Sequence, residues 1–238
     1  ITALAVYHQT MPPTINQEVA DPVATAFVEQ ALAGLAEPAS EWLHAGVWLR
    51  SHLPELPYDP ARARALLAEA GYANGFALTL HATNNRYVND ARVAQALAQY
   101  LTRIGVRTEV DAMPSNVFFT RRARRDFSVP MGGWAASAEE TLLFFRSWVT
   151  TFDRDRGLGT SNYSGFSDAV FDRAAVAALT TMDDAARGAL LRQASERALE
   201  QMPVLPIHFE NAVWAFRRGL VFAGRMDQTT LAQEIRPE

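Results

Sequence analysis

Trp134 is well placed in this sequence to contact a ligand. It follows Gly132-Gly133 at the end of an apolar stretch that predicts a strand, and open α/β sheets carry their ligand-binding loops at strand ends. An exposed tryptophan there stacks on a ligand, whereas a buried one packs in the core. Position alone leaves both roles open.

A polar loop, Asn84-Asn85-Arg86-Tyr87, follows another predicted strand. Its amide, guanidinium and phenol groups suit the lining of a polar cleft, and a solvated turn uses the same residue types. Arg86 is the sharpest candidate because a guanidinium grips a carboxylate through two hydrogen bonds. The chemistry of this loop therefore points to binding rather than to a reaction.

Motifs for catalysis and metal binding are absent from the sequence. The five histidines show no H-E-x-x-H pattern and no paired metal spacing, there is no cysteine, and no G-x-S-x-G nucleophile elbow occurs. The glycine-rich segment 157–165 lacks the lysine-serine ending of a phosphate loop. We expect a non-catalytic protein that needs neither a metal nor another cofactor.

The composition narrows the class of protein further. Of the 238 residues 49% are hydrophobic, enough for a sizeable core in one large domain or two small ones. The net charge of −4 argues against general nucleic-acid binding. No run approaches the roughly 18 to 20 apolar residues of a membrane span. The one basic cluster, Arg121 to Arg125, lacks the aromatic residues that stack on bases, so we expect a solvated helix surface.

The elements that must position these residues are marked by caps and periodicity. Asp59 suits a helix N-cap, Pro60 the first helical position and Gly71 a left-handed stop. Period-two alternation predicts strands, and apolar spacing of three and four predicts helices. The predicted helices are 21–34, 60–70, 89–104, one from Ser115, 139–150, 168–179 capped by Ser167, and 184–201 capped by Asp183. The predicted strands are 2–8, 76–82, 106–112, 127–131, 204–209, 212–216 and 220–222, with a structured loop over 37–56.

Strands and helices alternate along the middle of the chain. This order predicts an α/β fold with a mixed, largely parallel sheet flanked by helices. Pro130 conflicts with its strand because proline removes a ladder hydrogen bond. That strand should therefore lie at an edge, be bulged, or be shorter than drawn.

The capped helix and the strand after it resemble a known family. The pattern Y-D-P-x-x-A-x-x-L-L-A-E-A-G-Y-x-N-G-F over 58–76 resembles the family 5 extracellular solute-binding proteins of ABC importers, which include oligopeptide, dipeptide and nickel receptors. The likeness continues through 86–90, 101–106, 133–134, 162–167 and 203–209. It spans nearly the whole chain.

The resemblance implies a periplasmic-binding-protein type II-like lobe that captures a small polar solute, a peptide or peptide-like molecule, between two lobes. Members of the family are longer, and this chain starts without a Met or a signal peptide. We therefore expect a C-terminal portion. Residues 1–17 would be a hinge strand and connector, 18–202 the C-terminal ligand-binding lobe, and 203–238 returning hinge strands that pack on the N-terminal lobe.

The resemblance also implies partners and a location. ABC permease subunits would receive the solute, and docking to them is a second role for the arginine cluster. The protein would be periplasmic, or extracellular and lipid-anchored, and the fragment would be monomeric or associate through its hinge surface. A ligand-sensing module of a transcription regulator, which has the same fold, is the alternative.

The resemblance finally adds candidate site residues. Many peptide receptors of the family have an Asp three positions after the Trp, which pairs with the peptide ammonium, but Ser137 stands there in this chain. Serine carries no charge, so the usual amine anchor is missing. Glu139 or Glu140 would substitute for it, or else be solvated first-turn residues. Asn162 and Tyr163 match a family loop close to the cleft, and an ordinary loop role is their alternative. The candidate ligand-binding residues are Trp134, Arg86, Asn85, Tyr87, Ser137, Asn162 and Tyr163.

Overall fold

The computed structural model describes residues 2–7, 36–39, 41–42, 59–135, 141–225 and 228–238. The predicted helix 21–34 and most of the predicted loop 37–56 lie outside these ranges. Within them, no helix is long and apolar enough to cross a membrane.

The predicted capped helix is confirmed as α1, Pro60–Glu69. Asp59 Oδ1 accepts the backbone N–H of Arg62 at 2.8 Å, and Pro60 occupies the first turn. Gly71 has a φ of +89°, the left-handed conformation that ends the helix and that glycine adopts without a Cβ penalty. The local chemistry of the sequence thus fixes both ends of this helix.

The alternation of strands and helices is confirmed through the middle of the chain. In chain order the elements are β1 Thr2–Tyr7, β2 Ala36–Pro38, α1, β3 Phe76–Thr83, α2 Asp90–Arg103, β4 Val106–Met113, α3 Ser115–Ala123, β5 Val129–Ala135, α4 Thr141–Phe144, α5 Ala169–Ala178, α6 Asp184–Gln201, β6 Val204–Glu210, β7 Leu220–Val221 and β8 Arg236–Pro237. A π-helical turn, Phe145–Val149, continues α4, and a 3-10 turn spans Ala232–Glu234.

Six of the strands form one mixed sheet in the order β2-β6-β1-β5-β3-β4. The pairings β3–β4 and β3–β5 are parallel, and β1 runs antiparallel to both β5 and β6. Since β5 and β6 both run antiparallel to β1, the strands β3, β4, β5 and β6 all point one way, and β2, which is antiparallel to β6, points the other way. The predicted mixed sheet is confirmed, with its parallel ladders confined to β3, β4 and β5.

Two glycines touch where the parallel pair β3–β4 begins. Gly75 and Gly105 both have positive φ values, +67° and +105°, and each immediately precedes its strand. A Cβ built on Gly75 would lie 1.8 Å from the carbonyl oxygen of Gly105. Only glycine at position 75 permits this approach, which brings Phe76 opposite Val106 and sets the register of both strands.

Of the three alternatives for Pro130, the sheet edge is wrong because β5 is an internal strand. The strand begins at Val129, two residues later than predicted. Pro130 is the second residue of β5, and it pairs with His81 of β3 in a ladder of only two residue pairs. The ladder between β5 and β1 begins one residue later, at Met131. Proline is tolerated here because strand beginnings require few hydrogen bonds from the backbone N–H.

Two hydrophobic clusters hold the helices to the sheet. The first joins α1 and α2 to the central strands through Leu66, Leu67, Leu97, Leu80 and Met131, all buried. The second joins the π-helical turn, α5 and α6 through Phe145, Phe171 and Leu191. Leu205 of β6 packs against both clusters, so this strand ties the two halves together.

Asp168 links α5 to α6. It is the N-cap of α5 in place of the predicted Ser167, and it accepts the N–H groups of Val170 and Phe171 at 3.0 and 2.8 Å. Its Oδ2 also pairs with Arg197 of α6 at 2.6 Å. The hydrogen bond from Arg197 is the main reason that the pKa of Asp168 lies below its usual value. Asp caps better than Ser here because its second oxygen remains for the arginine.

The last part of the chain differs from the prediction. β6 extends to Glu210 as an internal strand of the sheet, but residues 212–216 form no strand. β7 pairs with β8 in a separate two-stranded sheet. The predicted strand at 212–216 is therefore wrong. Trp214, one of its aromatic residues, packs against Phe222 at 5.7 Å.

His208 makes stability depend on pH. Its imidazole is fully buried in β6, and the loss of hydration lowers its pKa from 6.5 to about 4. The unfolded chain therefore binds more protons between these values. We expect full stability above pH 6.5, falling by up to about 1.4 kcal/mol per pH unit toward pH 4. Burial also lowers the pKa of His81, against the opposing effect of Asp111.

Urea unfolding at pH 7.5, 6.5 and 5.0 measures this slope. His208→Gln keeps a polar side chain but removes the titration, so its slope between pH 6.5 and 5.0 should be flatter. Equal slopes in the two proteins would show that the buried imidazole does not control the pH dependence.

Candidate functional site

Most of the candidate residues meet at one edge of the sheet. Because β3, β4, β5 and β6 run in one direction, their carboxyl ends lie together, and we call this side the carboxyl edge. The loop after β3, residues 84–89, which we call the site loop, carries Asn85, Arg86 and Tyr87 there. Trp134 is the second-last residue of β5 and lies at the same edge. This is where ligands bind to open α/β sheets.

The site loop is shaped by Asp90, a buried carboxylate in the first turn of α2. Its Oδ2 accepts three hydrogen bonds, from Thr83 Oγ1 at 2.7 Å, Arg86 N at 2.9 Å and Tyr87 N at 3.2 Å. Its Oδ1 accepts the N–H of Ala91 at 2.9 Å. One carboxylate thus fixes the loop, the end of β3 and the start of α2 together.

Tyr87 and Val88 connect the site loop to other strands. The Tyr87 hydroxyl accepts the N–H of Gly133 in β5 at 3.1 Å, next to Trp134. The N–H of Val88 donates to Glu210 Oε1 at the end of β6, at 3.2 Å. Burial raises the pKa of Tyr87, so its hydroxyl stays protonated near neutral pH. The loop is therefore held to both β5 and β6.

Arg86 is the exposed cation of the site loop. Its guanidinium carbon lies 5.3 Å from the ring centroid of Tyr87, a cation–π contact that restrains the side chain. Within the described part of the chain Arg86 pairs with no carboxylate. Its in-plane donors are therefore open to an incoming anion.

Asn85 has a scaffolding role. Its Oδ1 accepts the N–H of Ser115 at 2.8 Å, in the first turn of α3. The preceding residue, Asn84, donates its backbone N–H to Met113 at the end of β4. The first N–H groups of a helix need acceptors from outside the helix, and Asn85 supplies one for α3. Together, Asn84 and Asn85 tie the site loop to the end of β4 and the start of α3.

Trp134 packs partly against the core, and its stacking on a ligand stays a prediction. Its ring makes edge contacts with Phe144 at 6.0 Å and Trp148 at 5.8 Å, which belong to the second hydrophobic cluster. The side chain is only half-buried. A rigid aromatic platform with one side packed is the arrangement that supports stacking on a ligand.

Asn162 organises its own loop. It is 2% exposed, and its Nδ2 donates to the carbonyl oxygens of Thr150 at 2.9 Å and Phe166 at 2.8 Å. Its Oδ1 accepts from Ser164 Oγ and from Phe166 N. The amide is thus used within the loop, which is the ordinary role that the sequence left open.

Tyr163 lies apart from the carboxyl edge. It lines a pocket with Phe127, Ser128 and Pro130 at the beginning of β5. Trp134 is four residues further along this strand, which corresponds to about 13 Å. The structure therefore brings Asn85, Arg86, Tyr87 and Trp134 together, and it leaves Tyr163 elsewhere.

Some of the candidate residues fall outside the described ranges, and two residues of the site were not predicted. Ser137, Glu139 and Glu140 lie outside the described residues. Asp90 and Glu210 were missed by sequence reasoning. An acid just after a polar loop was a signal for Asp90, but nothing local links Glu210 to a loop 122 residues earlier. Among the described residues no group of His, Cys, Asp or Glu is arranged to hold a metal ion.

A family model matches the chain from near its beginning to past its middle. The model described as bacterial extracellular solute-binding proteins, family 5 Middle, matches residues 24–155. The glutathione-binding protein GsiB of Salmonella typhimurium is 30% identical over 206 residues, covering 82% of this chain and 38% of that protein. This chain therefore spans well under half the length of this relative.

Solved structures share the fold. DppA from Helicobacter pylori in complex with the peptide STSA has a TM-score of 0.79 and 19% identity, covering 88% of this chain and 41% of that one. AgaA of A. tumefaciens R10 in complex with agropinic acid has a TM-score of 0.78 and 22% identity, covering 88% and 44%. The predicted type II-like lobe is confirmed. The transcription-regulator alternative finds no support in these comparisons.

Proposed function

This chain belongs to the family 5 bacterial extracellular solute-binding proteins, whose model covers more than half of it, and we propose that it is part of the substrate-binding component of an ABC importer. The chain would form the C-terminal lobe and supply about half of the binding site. A small polar solute, peptide or peptide-like, would be captured between this lobe and an N-terminal one. Closure of two lobes about a hinge would trap it.

The observation that carries this proposal is the arrangement at the carboxyl edge. Arg86 is exposed and has no carboxylate partner among the described residues, and Trp134 is half-buried. The two residues lie on elements connected by the Tyr87–Gly133 hydrogen bond. Arg86 would bind a carboxylate of the solute, and Trp134 would stack on its body. Both groups are held before the solute arrives, which reduces the entropy cost of binding.

The named solutes of the relatives agree with a carboxylate contact. GsiB is a glutathione-binding protein, DppA was solved with the peptide STSA, and AgaA with agropinic acid. Peptides and carboxylic acids carry the anionic group that suits Arg86. Ser137 replaces the acid that would pair with a peptide ammonium, so we propose a solute whose recognition depends on its carboxylate.

The remaining parts of the proposal concern the whole protein. It would be periplasmic, or extracellular and lipid-anchored, and it would deliver its solute to ABC permease subunits without catalysing a reaction. Residues 1–17 and 203–238 would belong to the hinge region and contact the N-terminal lobe. Several side chains in the C-terminal part are exposed, among them Val213 and Leu220, as expected for a surface that another lobe covers. The isolated chain would be monomeric or associate through this surface.

We expect Arg86→Gln to weaken solute binding by the full-length protein about tenfold to a hundredfold, since a charged hydrogen bond contributes about 1.5 to 3 kcal/mol. Native mass spectrometry of the protein purified without refolding would identify the retained solute. Calorimetry with that solute would then compare the variants.

Arg92→Gln is the matched control, because Arg92 is exposed on α2 and its side chain makes no hydrogen bond or ion pair with the site loop. It should bind like the unmodified protein. Unchanged affinity of Arg86→Gln would remove Arg86 from the site. Turnover of the solute, on the other hand, would contradict the non-catalytic function.

A further inference from the structure

A second group of polar residues lies away from the carboxyl edge, in a shallow pocket open to solvent. We call it the arginine pocket. The pocket is small, since its enclosed space is only about 10 Å³, about the room that one water molecule needs. It is lined by Arg122, Arg125, Phe127, Ser128, Pro130, Tyr163 and Ser164.

The guanidinium of Arg122 lies among aromatic rings. Its carbon is 4.8 Å from the ring centroid of Phe119, 4.7 Å from that of Tyr163 and 6.0 Å from that of Phe118. Cation–π contacts of this kind restrain a guanidinium without using its N–H donors as hydrogen bonds to an acceptor would. The side chain is therefore held in place while its donors stay available.

The donors of Arg122 and Arg125 are not satisfied by carboxylates. Within the described part of the chain neither arginine makes an ion pair, and Arg122 Nε is buried without a hydrogen-bond partner. Arg121, one residue away, contrasts with them because it pairs with Asp111 at 3.0 Å and Asp126 at 3.2 Å. A buried donor without an acceptor costs about 1 to 3 kcal/mol.

No acidic residue lines the pocket. Ser128, Tyr163 and Ser164 complete the lining, and the hydroxyl of Ser164 is used within its own loop, where it donates to Asn162 Oδ1 at 2.8 Å. Two guanidinium groups at an opening without acidic residues suit an anionic oxygen group.

We propose that the arginine pocket is a binding site for a small oxyanion, a phosphate or a carboxylate group, separate from the solute site. The anion would bridge Arg122 and Arg125 across the mouth of the pocket. By filling the opening between α3 and the loop that Asn162 organises, it would hold that loop against β5. The proposal does not depend on the transport function.

The test is a titration of the protein with sodium phosphate and, in a second arm, with sodium acetate, each at constant ionic strength. Side-chain Nε–H signals of arginine are followed by ¹H–¹⁵N NMR. We expect a saturable shift of the Arg122 signal with at least one of the two anions. Which arm saturates distinguishes a phosphate site from a carboxylate site.

The variants Arg122→Gln and Arg125→Gln should each weaken binding at least tenfold, as expected for the loss of one charged hydrogen bond. Arg125 is exposed, so we expect Arg125→Gln to fold normally. It therefore tests the site even if Arg122→Gln fails to fold. Arg124→Gln is the matched control, since Arg124 is exposed and does not line the pocket. Linear, non-saturating shifts with both anions, or equal effects of Arg124→Gln and Arg125→Gln, would overturn the proposal.

Discussion

Replacing Gly75 with alanine is expected to lower the free energy of unfolding by about 3 kcal/mol or more. The new Cβ would lie 1.8 Å from the carbonyl oxygen and 2.8 Å from the carbonyl carbon of Gly105, so backbone must move. Overpacking against flexible side chains costs about 1 to 3 kcal/mol, and backbone yields less than side chains. The positive φ of +67° adds strain for any residue with a Cβ.

Gly71→Ala is the matched control. Gly71 has a φ of +89°, but a Cβ there would meet no atom within 4 Å. This variant therefore carries the conformational cost alone, about 1 kcal/mol. Urea unfolding of both variants separates the two effects, and similar losses would show that the contact between Gly75 and Gly105 is not important.

The second large effect is expected for Asp90→Asn, which should cost about 2 to 3 kcal/mol of stability. Asp90 is the acceptor in all four of its hydrogen bonds, and Oδ2 accepts three of them. An asparagine must turn its NH₂ group toward at least one of these donors. It also removes a negative charge from the N-terminus of α2, where the helix dipole favours one.

Asp90→Asn should also weaken solute binding, because Asp90 fixes the backbone of Arg86 and Tyr87. Calorimetry well below the melting temperature separates this effect from unfolding. Asp155→Asn, an exposed acid outside the site, should change neither property. If Asp90→Asn lost stability but bound the solute normally, the buried carboxylate would support the fold only.

The sequence was sufficient where local chemistry decides the structure. Asp59, Pro60 and Gly71 define α1 through interactions within a few residues, and the strand after it follows from simple alternation. The resemblance to the family is carried first by the same stretch. The resemblance therefore predicted the class of protein and the fold of the lobe.

The sequence was insufficient where distant residues decide. Asp168 caps α5 instead of Ser167 because its second oxygen pairs with Arg197, 29 residues later. An internal strand accommodates Pro130 because the ladders on its two sides begin at different residues. The separation of Tyr163 from Trp134 likewise depends on how loops pack, which no local pattern contains.

The position of β1 has a consequence for synthesis of the chain. This strand is central in the sheet, with β5 on one side and β6 on the other. Its first partner, β5, leaves the ribosome roughly 120 residues later, which takes on the order of 6 to 24 s at about 5 to 20 residues per second. Until then an apolar strand has two open edges, a template for aggregation. We therefore expect β1 to be the part of the nascent chain most exposed to wrong pairing until β5 and then β6 are made.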